Sequence, residues 1–253
     1  MMQSDQTPPP LRLTGTGVFL RYLHRVDEQL RQCVAFPLDL KMLPMGLVSG
    51  GVFLFHTDIS RPLSEQTGAS ERVSARKTVP LASSNDSMNG SPKTVACRVL
   101  ARVGYGSKRG FLASHIVANS LNIYQWLDGI AGLPHSLMPV HCSESSRMLS
   151  WTIESGLRLR HKATAIRFPF ALKRSIDTFV LSVCGRTVYE TEVRITGEFS
   201  LGLFTSTIQP RGVWQVCSGL PVGALFIRNA ELIVCPTRPA LFAGAHPLAE
   251  TGI

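Results

Sequence analysis

Thr94–Asp128 reads TVACRVLARVGYGSKRGFLASHIVANSLNIYQWLD, and the rest of the chain is arranged around it. Val95, Cys97, Val99, Ala101 and Val103 alternate with Ala96, Arg98, Leu100 and Arg102. That is close to the period-two pattern of a half-buried strand. Gly104, Gly106 and Gly110 bracket Tyr105, Lys108 and Arg109, so the chain turns there and carries two cations at the tip. Ser114 is placed to cap a helix. Val117, Leu121, Tyr124 and Leu127 recur at a spacing that would seat that helix on a sheet, and Asp128-Gly129 marks its end. No acid occurs between Asp86 and Asp128. The unit therefore offers an uncompensated basic tip to an anionic surface, or simply solvated cations.

The 253 residues, 44% of them hydrophobic, fit one large domain or two small ones with a real core. Lys and Arg number 26 against 17 Asp and Glu, a net charge of +9. Such a chain is drawn to nucleic acid, ribonucleoprotein or anionic lipid. Cys33, Cys97, Cys142, Cys184, Cys217 and Cys235 are widely spread with no C-x-x-C pair. They read as reduced core thiols of a cytosolic or nuclear protein, with neither a disulfide framework nor a zinc site. The N-terminus MMQSDQTPPP lacks the apolar core of a signal peptide. The longest uncharged apolar run, Met42–Phe55, is short and broken by Pro44, Gly46, Gly50 and Gly51, so it does not span a bilayer as a helix.

In chain order, residues 1–10 form a disordered arm whose Pro8-Pro9-Pro10 favours an extended helix. Residues 11–59 hold an N-terminal helix and an apolar segment of the core. Phe19, Tyr22, Leu23, Val26 and Leu30 have helical spacing, and Met45, Leu47, Val52, Phe53 and Phe55 belong either to the core or to a loop inserted shallowly into lipid. Residues 60–93 lose hydrophobic periodicity and read as a linker. Residues 94–235 form the main core. Within it Arg158, Arg160, Lys162, Arg167, Lys173 and Arg174 lie between Glu154 and Asp177 with no acid among them. Ile176–Cys184 and Thr187–Ile195 read as a hairpin, Phe199–Val216 as a further strand pair, and Ala224–Cys235 as a last strand. Residues 236–253 are a tail.

No nucleophile-elbow, P-loop or dinucleotide fingerprint is present, and Gly104-Tyr105-Gly106 lacks its third glycine. Carboxylates are few and scattered. His135, His141 and Cys142 share a loop without a fourth ligand at metal spacing. From these patterns the chain is expected to have no catalytic residue, metal or cofactor.

The order of features resembles that of rhabdovirus matrix proteins. The pieces are the strand TVACRVLARV, the basic turn GYGSKRGF, the helix ASHIVANSLNIYQWLDG, RFPFALKRSIDTFVLSV with its Phe-Pro-Phe element, and SLGLFTSTIQPRGVWQVCSG with its tryptophan. They cover about Thr94 to Gly219. The Pro-Pro-x-Tyr motif of that family is absent, since Leu11 follows Pro8-Pro9-Pro10. The basic, divergent character is reminiscent of the plant-infecting branch. The resemblance implies a non-enzymatic virion protein that self-associates, condenses the viral nucleocapsid of nucleoprotein and RNA, and ties it to the anionic inner leaflet and an envelope glycoprotein. It would lie beneath the envelope, or in host cytoplasm or nucleus. Arg98, Arg102, Lys108, Arg109, Arg158, Arg160, Lys162, Arg167, Lys173 and Arg174 are the expected contacts to lipid or nucleic-acid phosphates. Met45, Leu47, Val52, Phe53 and Phe55 are the expected membrane-inserting residues.

Three other readings stay open: an RNA-binding viral movement or accessory protein, an α+β enzyme using the His135–Cys142 loop, and a basic interaction domain. The expected fold is a single α+β domain, mostly antiparallel sheet with a few helices, with a flexible N-terminal arm and an internal linker.

Overall fold

The computed structural model describes residues 8–26, 30–31, 34, 38–57, 93–105, 108–130, 132, 134–145, 148–154, 158–165, 172–184, 187–207 and 220–240. The elements are β1 (Leu11–Arg25), β2 (Asp39–Leu40), β3 (Met42–Leu43), a 3-10 turn (Pro44–Gly46), β4 (Leu47–Thr57), β5 (Thr94–Tyr105), β6 (Lys108–Ala118), α1 (Leu121–Asp128), β7 (His135–Leu137), β8 (Val140–Ser145), β9 (Met148–Glu154), β10 (Arg158–Ala165), β11 (Leu172–Cys184), β12 (Thr187–Thr207), β13 (Leu220–Val234) and β14 (Arg238–Pro239).

Seven strands in the order β11-β6-β5-β4-β1-β13-β12 close into a barrel, because β12 also pairs with β11. Closure removes the exposed sheet edges that an open sheet of this length would present. β12 is 21 residues long and serves two partners. Leu172–Cys184 lies against its first half, while β10 takes over from Gly202 onward. β10, β9 and β8 then extend the sheet beyond the barrel.

All seven strands contribute apolar side chains to one buried cluster, among them Leu13, Phe55, Cys97, Ile116, Phe199 and Ile227, with Val180 of β11 packed against it. This is the lumen. Ile123 and Leu127 of α1, with Ile130, join the same cluster, so the helix plugs one end. A barrel this narrow is filled by its own side chains. Phe55 alone, with none of its surface exposed, contributes about 1.5–3 kcal/mol by burial. The alternate residues of the same strands face outward and are also buried. Val18, Leu20, Tyr22, Val52, Leu54 and Phe226 form a second cluster with Val140 of β8, Met138 and Cys142 packed on it. The segment after α1 thus covers part of the outer wall.

The α+β expectation is corrected to a closed β-barrel. The expected helix over Phe19–Leu30 is largely strand β1, which spans Leu11–Arg25. Both its faces are covered, so apolar residues fall at odd and even positions alike and imitate helical spacing. The helix expected from Ser114 begins later. β6 runs through Ala118, and Ser120 occupies the N-cap position of α1. The linker at 60–93 and the tryptophan-bearing strand near Val213 lie outside the described residues, apart from Lys93.

Candidate functional site

The lumen is poor in reactive groups. Its thiol, Cys97, is buried, and burial pushes its pKa up to about 12, so it carries no thiolate at neutral pH. Of the described lysines, Lys41 and Lys173 are exposed and Lys93 is half-buried just before β5. Lys108 leaves β6 on the outer side, where it rests 4.6 Å over the Phe179 ring and bonds Glu190. Lys173 on β11 is exposed, as is Arg174 beside it.

Chemistry collects instead on the covered outer wall. Arg98 stands directly opposite His115 in the β5–β6 ladder and opposite Val52 in the β4–β5 ladder. All three therefore share the face of Ala96 and Val117. Arg98 is only 4% exposed, an unusual setting for a guanidinium. β7 pairs in parallel with the end of β6, placing Ser136 beside Val117 and His135 beside Ile116. As a result His115 Nε2 lies 2.8 Å from Ser136 Oγ in a hydrogen bond. Burial, then His135, then Arg98 hold the His115 imidazole below its ordinary value of 6.5, so it is neutral at neutral pH. His135 lies 3.7 Å from the Asp128 carboxylate and packs on Tyr124 with ring centroids 5.1 Å apart.

Asn119 fixes this corner. Its Oδ1 accepts from the Thr94 amide at 2.7 Å, and its Nδ2 donates to the Val140 carbonyl at 3.3 Å. One side chain thus ties the start of β5 to the start of β8. No group of three or more metal-ligating residues occurs among the described residues. The arrangement offers a buried cation, a neutral base and a hydroxyl beside an apolar wall. Such a set can hold an anion and move a proton.

The expected phosphate contacts are spread differently. Arg98 is inside, while Arg102, Arg109, Lys173 and Arg174 are exposed and Lys108 is engaged with Glu190. Arg158, Arg160 and Lys162 fall on β10, their side chains outside the described residues, as is all of Arg167. Of the expected inserting residues, Met45 is 87% exposed in the 3-10 turn, Leu47 and Phe53 are half-buried, and Val52 and Phe55 are core. His115 and Ser136 were missed in sequence. They are 21 residues apart and meet only through the parallel β6–β7 pairing, which no local pattern signals.

No protein-family model matches the sequence, and no curated protein resembles it in sequence. Solved structures do share its shape. The enduracididine biosynthesis enzyme MppR complexed with pyruvate superposes with a TM-score of 0.59 at 13% identity, over 94% of this chain and 92% of that one. Acetoacetate decarboxylase from Legionella pneumophila gives 0.56 at 12%, over 95% and 90%. An acetoacetate decarboxylase-like enzyme from Sphingomonas wittichii RW1 gives 0.54 at 12%, over 91% and 93%. This overturns the matrix-protein resemblance, and with it the non-enzymatic virion role and its nucleocapsid-condensing, budding function. The proteins that share this fold are enzymes, and nothing among them supports the RNA-binding viral alternative. The earlier match rested on the order of strand, turn and helix, which a long antiparallel barrel reproduces. The chain has the fold of acetoacetate decarboxylase-like enzymes.

Proposed function

We propose that this chain is an enzyme acting on a small carbonyl compound that bears a carboxylate. Arg98 holds the carboxylate, and His115 takes or returns a proton at the carbon beside the carbonyl. The observation that carries the reading is the buried Arg98 directly opposite His115. A guanidinium in an apolar wall favours a planar carboxylate through charge-assisted, two-pronged hydrogen bonding. A neutral imidazole next to it is a competent base. The fold likeness supports the substrate class, since one structural neighbour was solved with pyruvate and others are named for acetoacetate.

One general route to labilise a carboxylate near a ketone condenses the ketone with a lysine amine. Lys41 and Lys173 are exposed and Lys108 is engaged with Glu190. Acid–base transfer at His115 is the chemistry that the geometry beside Arg98 supports. The apolar wall of Val117, Val140 and Met138 keeps water from the reacting carbon and strengthens the pull of Arg98.

The test is exchange of pyruvate methyl protons in deuterated water, followed by proton NMR, alongside calorimetric titration with pyruvate and acetoacetate. Arg98→Met is expected to weaken binding by at least about tenfold. His115→Gln is expected to keep binding while exchange falls by roughly 10²-fold or more. Absence of binding, or exchange unchanged in His115→Gln, would reject the reading.

A further inference from the structure

We propose that Ser136 is a nucleophile, activated by His115, and that the protein transfers short acyl groups from esters or thioesters to water. The inference shares His115 with the function proposed above but not its carbonyl-acid chemistry. It rests on a different contact, the 2.8 Å hydrogen bond between His115 Nε2 and Ser136 Oγ.

A serine hydroxyl is a weak nucleophile until a neutral base stands within hydrogen-bond reach of it. Here the base lies on barrel strand β6 and the nucleophile on the short strand β7 paired to it, held in register by three consecutive pairings from Ile116–His135 to Ala118–Leu137. Both side chains are half-buried, and the flanking Pro134 and Leu137 are exposed, so a small ester can reach them. Met138, Val140 and Cys142 pack on the adjacent apolar wall, which suits a short alkyl chain. Arg98, opposite His115 on β5, supplies positive charge next to the point where an oxyanion would develop.

The steps balance. Ser136 Oγ bonds to the carbonyl carbon as its proton passes to His115 Nε2, giving a tetrahedral oxyanion beside Arg98. The carbon–oxygen or carbon–sulfur bond then breaks, and the departing alcohol or thiol takes the proton from His115. The acyl-serine left behind is attacked by water, whose proton passes to His115. Collapse returns that proton to Ser136 and releases the carboxylic acid.

The experiment uses the full chain and p-nitrophenyl acetate. A burst of p-nitrophenolate is expected, with one acetyl group per chain by intact mass, mapped by peptide analysis to Ser136. Ser136→Ala is expected to lose burst and adduct. The parent chain assayed for both reactions separates this inference from the function above: burst and adduct without pyruvate exchange uphold this inference and reject that function, and exchange without a burst does the reverse. His115→Gln is expected to slow acylation by about 10²–10⁴-fold. If Ser136→Ala does not fold, Ser136→Cys serves instead, and is expected to keep the burst and lose it to iodoacetamide. An acetyl group found only on other residues, or an equal burst in Ser136→Ala, would overturn the proposal.

Discussion

Lys108 on β6 and Glu190 on β12 are 82 residues apart in sequence and meet at 3.0 Å. Glu190 is almost wholly buried, and Arg238 of β14 reaches the same oxygen at 2.8 Å. One carboxylate therefore joins the first residue of β6 to β12 across β11, and pins β14 alongside. Removing it takes the buried carboxylate from both cations and leaves Arg238 its 2.6 Å contact with Glu192, whereas removing Lys108 leaves Arg238 in place on Glu190. Glu190→Ala is expected to cost about 2–3 kcal/mol, below the usual range for a broken buried pair because both cations are partly exposed. Lys108→Met should cost about 1 kcal/mol or less. Urea midpoints of the two variants check the order. An equal or reversed ranking would mean the carboxylate is not the keystone.

The Cys97 thiol faces the lumen with a pKa pushed up to about 12 by burial. In the folded protein at pH 8 it is expected to resist iodoacetamide, because the reactive thiolate is scarce and shielded. In denaturant it should react at the rate of an ordinary cysteine. Mass mapping of alkylated peptides before and after unfolding measures this. Rapid labelling of Cys97 in the native protein would mean that the lumen opens.

The first half of β5 could be read from the alternation of Val95, Cys97 and Val99, with Arg98 as a charge on the second face. The irregularity at Leu100 then exchanges the faces, so that Ala101 and Val103 leave the lumen cluster and Arg102 lies opposite Phe111. β1 could not be read this way. Its Leu13 and Phe19 serve the lumen while Val18, Leu20 and Tyr22 serve the covered outer wall, so the polar alternation that marks a strand is missing. Closure of the barrel was hidden for another reason. It depends on β11 pairing with both β6 and β12, and the 11–13-residue strands themselves look the same in a barrel or an open sheet. The candidate site was partly visible. Arg98 stood out as a charge within an apolar strand, and His135 as a histidine in a loop. Only the ladder shows that Arg98 faces His115 and that β7 lays Ser136 beside it.

Two lumen glycines are expected to behave oppositely. A Cβ on Gly51 would collide with the backbone carbonyl of Leu20 on the neighbouring strand. Backbone cannot step aside without opening the β1–β4 ladder, so Gly51→Ala should cost about 1–3 kcal/mol or more. A Cβ on Gly17 meets only the side chains of Ile227 and Phe55, at 3.5 Å. Gly17→Ala should be neutral or stabilise by about 0.4–1 kcal/mol through the unfolded chain. Thermal unfolding of the pair checks this, and a Gly51→Ala as stable as the parent would contradict the close approach of β1 and β4.

The lowered pKa of His115 makes stability depend on pH with a definite sign. The groups that face it are Arg98 from β5 and His135 with Ser136 from β7. In the unfolded chain the imidazole gains a proton near 6.5, while in the folded state it holds out to lower pH. Between those two values the unfolded state binds more protons, so folding weakens as pH falls through 6.5. Above 6.5 both states are neutral at this position and the contribution is fully present. His115→Gln should therefore flatten the fall in Tm between pH 7 and pH 5 relative to the parent. His135→Gln should instead raise the His115 pKa, because it removes a neighbouring positive charge. Proton NMR titration of the His115 ring resonances, with Tm recorded across the same range, tests both statements. A His115 that titrates at or above 6.5 in the folded protein would contradict the lowering by burial and the pH dependence drawn from it.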